Sequence, residues 1–168
     1  MKISLSARLR DIGERRLISE ILWARYGRRT PEAFGQDCAF LHQRIRPDEI
    51  LVATTDPCPM PMAWILGFTD FYYYGWLLGT INLSDVAASG ARPLGFLNSL
   101  VLPSSVRVRD LIRLLDGLDS VLALSNTKVI GGNLKEDIKV AAHGTAFGVV
   151  RKDLVLRRDT ARPRVSHR

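Results

Sequence analysis

Residues 82–93 read NLSDVAASGARP, and this stretch decides how the rest of the chain is interpreted. The apolar spacing before and within it predicts a helix over residues 70–89, and Gly90 is typical of the left-handed residue that follows a helix. A strand is predicted directly afterwards, over residues 94–102. Asp85 is the single carboxylate in this run of small apolar residues, where an ionised group needs a hydrogen-bond partner or a cation. Asp85 is therefore the first candidate for a functional side chain.

Hydrophobic periodicity predicts helices and strands on either side of this stretch. The other predicted helices span residues 8–26 and 106–126, and the other predicted strands span residues 38–41, 50–55, 128–130 and 138–150. Residues 57–66 contain three prolines and are predicted to form a loop. Helices and strands alternate without a strict βαβ repeat, which favours an α+β fold with a mixed sheet and helices packed on one face.

Composition and charge indicate one globular domain with a basic end. The chain has 168 residues, of which 46% are apolar and 24% charged. We place the domain at residues 1–150 and a solvated basic tail at residues 151–168, which carries +5 of the net charge of +7. The body has no basic stripe with interleaved aromatic residues, so we expect no nucleic-acid partner. Neither a membrane span nor a signal peptide is apparent, so we expect no membrane association and a cytoplasmic location.

Oxygen-bearing side chains stand at the ends of several predicted elements. They are Asp37, Thr54, Thr55, Asp56, Asp85 and Asn133. Such a set, without His or Cys companions, suits a hard cation such as Mg²⁺ rather than zinc. A structural role stays open for each position taken alone, because Asp is common in turns and the Gly131-Gly132 pair is a weak signal. No GxxxxGK[ST] loop is present, which excludes a P-loop enzyme.

Several short blocks follow one another in a fixed order along the chain. They are Ile12-Gly13-Glu14 with Leu17-Ile18, Gly35-Gln36-Asp37-Cys38-Ala39, Thr54-Thr55-Asp56, Asn82-Leu83-Ser84-Asp85 with Gly90 and Pro93, Leu100–Pro103, Gly131-Gly132-Asn133 and Leu156-Arg157-Arg158. In this order they resemble the amino-terminal ATP-binding domain of the thiamine-monophosphate kinase and aminoimidazole ribonucleotide synthetase superfamily.

The resemblance implies a site for ATP and Mg²⁺ and a transfer of the γ-phosphoryl group to a small metabolite. The positions matching metal ligands are Asp37, Thr54, Thr55, Asp56, Asp85 and Asn133. The positions matching nucleotide contacts are Thr55, Gly132, Asn133 and Arg158. Phosphoryl transfer depends on positioning and charge neutralisation more than on covalent catalysis, which fits a carboxylate-rich set.

The chain departs from the family pattern at particular positions. Asn133 stands where the family has an aspartate, and Ala63 stands where the kinases place a substrate-contacting histidine, which leaves the acceptor open. Family members continue into a second domain, and this sequence stops near Pro163, where the link would begin. We therefore expect either a kinase domain complemented by a separately encoded second domain, or a truncated nucleotide-binding or dimerisation module without activity of its own.

A homodimer is also expected. The resemblance implies that two copies pair through their sheets. Residues 138–150 are apolar enough to suit an edge strand that needs a partner.

Overall fold

The computed structural model describes residues 3–28, 38–68 and 70–160. Helices and strands alternate along these ranges. In chain order the elements are α1 (Leu9–Ile12), α2 (Glu14–Arg16), a π-helix (Leu17–Gly27), β1 (Glu49–Pro57), α3 (Met62–Ile65), α4 (Phe71–Ala88), β2 (Arg92–Leu102), α5 (Val108–Leu124), β3 (Val129–Glu136), β4 (Ala141–Arg151) and 3₁₀ turns at Lys152–Leu154 and Arg158–Thr160. The predicted α+β class is confirmed. Within the described ranges, the helices are all too short or too polar to cross a membrane.

The strands form one mixed sheet in the order β1-β4-β2-β3. Strand β4 is antiparallel to both β1 and β2, whereas β3 runs parallel to β2. The expectation that residues 138–150 form an exposed edge is therefore wrong, because β4 has a hydrogen-bonded neighbour on each side. Its apolar character reflects a central position in the sheet, where neighbouring strands lie on both sides and α4 packs on one face. The edges are β1 and β3.

One face of the sheet is covered by α4, and α5 packs against α4. Two glycines let the helices approach closely. A Cβ atom on Gly75 would lie 1.9 Å from the Leu114 carbonyl oxygen, and one on Gly117 would lie 1.8 Å from the Tyr72 carbonyl oxygen. Neither position can accept a larger side chain without separating the two helices.

The amino-terminal helix predicted over residues 8–26 is interrupted. Gly13 adopts a φ of +79°, which separates α1 from α2, and the π-helix follows. Arg25 joins this segment to α5 through a 2.7 Å contact with Asp116 and a 2.8 Å contact with Asp119. The segment is therefore part of the helical layer that backs the sheet.

Three further predicted segments differ clearly from the observed elements. Residues 38–41 form no strand. The predicted loop at residues 57–66 contains the short helix α3. The strand predicted at residues 128–130 continues to Glu136, because the parallel pairing with β2 extends through the glycine pair.

The chain beyond β4 is anchored at its start rather than frayed. The backbone N–H of Leu156 donates to the Ser89 carbonyl at 3.1 Å, and that of Lys152 donates to the Asp48 carbonyl at 2.8 Å. Gly90 ends α4 with a φ of +75°, as predicted. Residues 151–159 are nevertheless exposed apart from the partly buried Val155, and residues 161–168 lie outside the described residues.

Candidate functional site

The last turns of α4 and the end of β1 bring two candidate ligands into contact. The Thr54 hydroxyl donates a hydrogen bond of 2.9 Å to Oδ2 of Asp85. Asp85 lies on the exposed side of α4. The prediction that its carboxylate is embedded in apolar surroundings is wrong, because the buried side of α4 carries the neighbouring Val86 and not Asp85. The Asp85 carboxylate is thus held by a hydroxyl and open to solvent.

Asp56 lies next to this pair on the same face of β1. Side chains alternate along a strand, so Thr54 and Asp56 point the same way and are separated by about 7 Å along the strand. The backbone N–H of Asp56 donates to Oδ1 of Asn82 at 3.1 Å, and the residue is half-buried. Three predicted ligands, Thr54, Asp56 and Asp85, therefore form one group at the β1 edge.

Thr55 lies on the opposite face of the sheet from this group. Its hydroxyl donates to the Gly144 carbonyl at 2.8 Å, and Oγ1 of Thr145 lies 3.1 Å away. Thr54 and Thr55, both predicted as metal ligands, therefore point to opposite faces of β1, because neighbouring strand residues face opposite ways.

Gly132 and Asn133 lie at the other edge of the sheet. They belong to β3, and Asn133 pairs with Ser99 of β2. Strands β2 and β4 stand between β3 and β1, so about 14 Å of sheet separates Asn133 from the β1 edge. Gly132 has a φ of +154°, and a Cβ there would lie 2.0 Å from the Asn98 carbonyl oxygen, so this position requires glycine.

The two remaining predicted residues lie near the chain segments that flank the sheet. Arg158 begins the last 3₁₀ turn and is exposed, two residues after the contact of Leu156 with the end of α4. This contact reaches Ser89, one turn beyond Asp85. Asp37 lies outside the described residues.

The group at the β1 edge could hold a hard cation. Its donors are two carboxylates and a hydroxyl, and an all-oxygen set with open solvent positions suits Mg²⁺, which keeps several waters when bound. Within residues 3–28, 38–68 and 70–160 no three His, Cys, Asp or Glu side chains cluster closely enough to bind a metal. Thr54, Asp56 and Asp85 fit the ion as a partial ligand set.

Cys58 and Tyr74 form a buried pair that takes no part in this group. Burial raises the pKa of the Cys58 thiol to about 12 and that of the Tyr74 hydroxyl to about 12. The Tyr74 hydroxyl donates to the Cys58 carbonyl at 3.3 Å. A thiol with this pKa stays protonated at neutral pH, so Cys58 is not an activated nucleophile.

Comparison with known proteins assigns the chain to a family. The family model "AIR synthase related protein, N-terminal domain" matches residues 35–150. The chain belongs to the AIR synthase related family. The matched range begins before β1 and ends one residue before the end of β4, so it takes in all of the sheet except Arg151, together with α4 and α5. The predicted resemblance is confirmed.

Relatives within the AIR synthase related family include thiamine-monophosphate kinases. That of Methanocaldococcus jannaschii is 36% identical over 114 residues, which is 67% of this chain and 35% of that protein. That of Synechococcus elongatus is 40% identical over 87 residues, which is 52% of this chain and 27% of that protein. This chain thus spans about a third of the length of these curated relatives.

Solved structures of the AIR synthase related family share the fold. The thiamine-monophosphate kinase of Stenotrophomonas maltophilia superposes with a TM-score of 0.69 at 29% identity, over 83% of this chain and 45% of that one. The structure described as AaThiL complexed with AMPPCP and TMP gives a TM-score of 0.61 at 25% identity, over 95% and 48% of the two chains. The architecture therefore matches a domain that makes up less than half of each of these chains.

One residue that matters to the site was missed by sequence reasoning. Asn82 was recognised as part of a motif, but no role followed from it. No clear signal for this role was present in the sequence, because apolar residues surround α4; in the structure Tyr74, Leu78, Asn82 and Val86 form one buried stripe of the helix. An amide inside an apolar stripe needs hydrogen-bond partners, and here one partner is the backbone of Asp56.

Proposed function

We propose that this chain is the ATP- and Mg²⁺-binding domain of a thiamine-monophosphate kinase-like protein, which directs the γ-phosphoryl group of ATP to a small-molecule acceptor. The observation that carries the proposal is the Thr54–Asp85 hydrogen bond beside Asp56. The group places oxygen donors, two of which carry negative charge, at one edge of the sheet, and this is the chemistry that a hard cation needs. A relative described with AMPPCP and TMP bound supports a nucleotide and a phosphorylated small molecule as ligands.

In this proposal the carboxylates of Asp56 and Asp85 hold Mg²⁺, and Asp37 completes the set. The ion would neutralise charge on the phosphates during transfer. The Thr54 hydroxyl keeps the Asp85 carboxylate oriented toward β1. Positioning of this kind is the main contribution of a protein to phosphoryl transfer.

Nucleotide contacts are proposed at Thr55, Gly132, Asn133 and Arg158. Two of them, Thr55 and Asn133, belong to opposite edge strands of the sheet, so one copy of the domain cannot gather them around a single phosphate group. We therefore propose that a homodimer forms through the open face of the sheet, where the edge strands of two copies can meet.

The open face has apolar surface that such a dimer would cover. Leu51 of β1 is 50% exposed. Ala53, two residues further along β1 and on the same face, pairs with Phe147 of β4. Placing a charge at this face should disrupt the dimer. Light scattering of the Leu51→Lys variant should give a monomer where the wild type gives a dimer, and a monomeric wild type would exclude this part of the proposal.

The decisive experiment measures binding and turnover on the same preparation. We expect isothermal titration calorimetry to show ATP binding that is much tighter in Mg²⁺ than in EDTA and that weakens strongly in Asp85→Asn. Asp137→Asn is the matched control, because it removes an equal charge from an exposed position just after β3. Wild-type protein that binds ATP equally with Mg²⁺ and with EDTA would contradict the proposal.

A second function is a binding or dimerisation module without turnover. The specific observation in its favour is Asn133, a neutral amide where the family has an aspartate, which lowers the charge available to a metal. This alternative predicts Mg²⁺-dependent ATP binding without ATP hydrolysis or transfer. Turnover by the chain mixed with a separately encoded second domain, and none without it, would instead support a complemented kinase.

A further inference from the structure

The Asn82 side chain links the helix that carries Asp85 to the strand that carries Asp56. Asn82 is fully buried. Its Oδ1 accepts the Asp56 backbone N–H at 3.1 Å, and its Nδ2 donates to the Leu78 carbonyl at 2.9 Å. Both ends of the amide are therefore used, and the reversed orientation would set donor against donor and acceptor against acceptor.

Strand β4, which pairs with β1, leaves room for the Asn82 amide. Gly144 pairs with Asp56 in the β1–β4 register. A Cβ on Gly144 would lie 2.3 Å from Nδ2 of Asn82 and 2.5 Å from Cζ of Phe96. Any side chain at this position would displace the Asn82 amide from beneath β1, so the glycine and the asparagine form one arrangement.

Few other hydrogen bonds hold the backbone around Asp56 in place, so the bond from Asn82 matters. Among the described strands, β1 lies at an edge and pairs with β4 alone, and the residue after Asp56, Pro57, has no N–H to donate. Asn82 and Asp85 are three residues apart, so one turn of α4 holds the Asp56 backbone and also carries the second carboxylate. The separation of the two carboxylates is therefore set through Asn82.

We propose that Asn82 is a positioning residue for the candidate metal site, fixing the backbone of Asp56 so that its carboxylate and that of Asp85 can bind one Mg²⁺. The inference rests on the proposed function, because it assigns a role toward the same ion. Asn82 does not touch the ion itself. Partners that orient metal ligands typically change metal affinity about 10- to 100-fold when they are replaced.

The test compares Asn82→Ser and Asn82→Ala with a stability control. A serine hydroxyl in a helix can still bond the carbonyl four residues earlier, at Leu78, but it is too short to reach Asp56. Asn82→Ser therefore removes the proposed role with little damage to α4, and it decides the test if Asn82→Ala does not fold. Val121→Ala is the control, since it opens a small cavity where α5 packs on Gly79 of α4 and leaves the Asn82 amide and its two partners in place.

Two measurements are made on each variant at a temperature where circular dichroism shows it folded. Calorimetric titration with ATP, in Mg²⁺ and in EDTA, isolates the metal-dependent part of the affinity. We expect that part to fall about 10- to 100-fold in Asn82→Ser, while the affinity in EDTA stays at the wild-type value. Hydrogen exchange of the Asp56 amide in ligand-free protein should become at least about tenfold faster, and that of Val52 should not change. Val121→Ala should match the wild type in both measurements.

The outcomes separate the two proposals. If the wild type binds Mg²⁺-ATP and Asn82→Ser binds it equally well, Asn82 has no positioning role and the proposed function stands. An unchanged exchange rate for the Asp56 amide in Asn82→Ser overturns the inference in the same way. If the wild type shows no Mg²⁺-dependent binding, the proposed function fails and the inference fails with it.

Discussion

Replacing Asp85 by Asn removes one negative charge from the candidate site with little change of shape. The amide oxygen can still accept the Thr54 hydroxyl, now 2.9 Å from Oδ2. The Asp85 carboxylate is held at Thr54, which lies about 7 Å from Asp56 along β1. Two charges separated by roughly that distance in water repel by about 0.6 kcal/mol. Because Asp85 is exposed, we expect the free energy of unfolding without ligand to be unchanged or to rise by at most about that amount.

The expected effect on ligand stabilisation is much larger. At a Mg²⁺-ATP concentration 100 times Kd, the wild type should gain about 2.7 kcal/mol. If the loss of Asp85 as a ligand weakens binding about 100-fold, the gain at the same concentration falls to about 0.4 kcal/mol. For a chain of this size the shift in Tm should drop from about 5–10 °C to about 1 °C.

Thermal melts of the wild type and Asp85→Asn, each with and without Mg²⁺-ATP, measure both quantities. Asp137→Asn controls for the change in net charge and should keep the full shift. A Mg²⁺-ATP shift in Asp85→Asn as large as that of the wild type would refute Asp85 as a metal ligand, and with it most of the case for phosphoryl chemistry.

Three further predictions address the rest of the chain. Arg25→Met should lower the free energy of unfolding by about 1–3 kcal/mol in urea melts, because it leaves Asp116 and Asp119 without their half-buried cation. The raised pKa of Cys58 means that its thiol stays protonated in the fold while the unfolded thiol ionises, so Tm should fall as the pH rises from about 9 toward 12 and fall less in Cys58→Ala. Deleting residues 161–168 should leave Tm and ATP affinity unchanged in melts and calorimetry.

Each of these has a clear contrary result. Arg25→Met at wild-type stability would mean that solvent screening cancels the ion pairs. Equal alkaline sensitivity of the wild type and Cys58→Ala would assign the effect to another group, such as Tyr74, whose pKa is also raised by burial. Loss of ATP binding on deletion of residues 161–168 would make the basic tail part of the site.

Local patterns in the sequence were sufficient to locate the main elements of the fold. The long helix α4, the strand after it and α5 follow from apolar spacing, and Gly90 marks the helix end as expected. The central position of β4 could not be predicted, because an apolar strand has the same sequence pattern at the edge and at the centre of a sheet. Strand order depends on pairing between distant segments, which periodicity does not contain.

The site was predictable in its residues but not in its geometry. Asp85 and Asp56 stand out as carboxylates at element ends, yet nearly every position around α4 is apolar, so the sequence does not show which side of the helix faces solvent. Asn82 belongs to the buried stripe and Asp85 to the exposed side, although they are one turn apart. Their different environments arise from how α4 packs on β1 and β4.

The positions implied by family resemblance divide between two faces and two edges of the sheet, and this division ties the metal site to the oligomeric state. Thr54 and Asp56 lie on the helix-covered face at the β1 edge, whereas Asn133 lies on β3, about 14 Å of sheet away.

In a monomer, Asn133→Ala should therefore leave Mg²⁺-ATP affinity unchanged. In a dimer paired through the open faces, a partner's β3 can approach β1, and the same variant should weaken binding. Titrating Asn133→Ala in the wild-type background and in the Leu51→Lys background distinguishes these cases, because only the first retains the proposed dimer. Equal loss of affinity in both backgrounds would contradict a shared site.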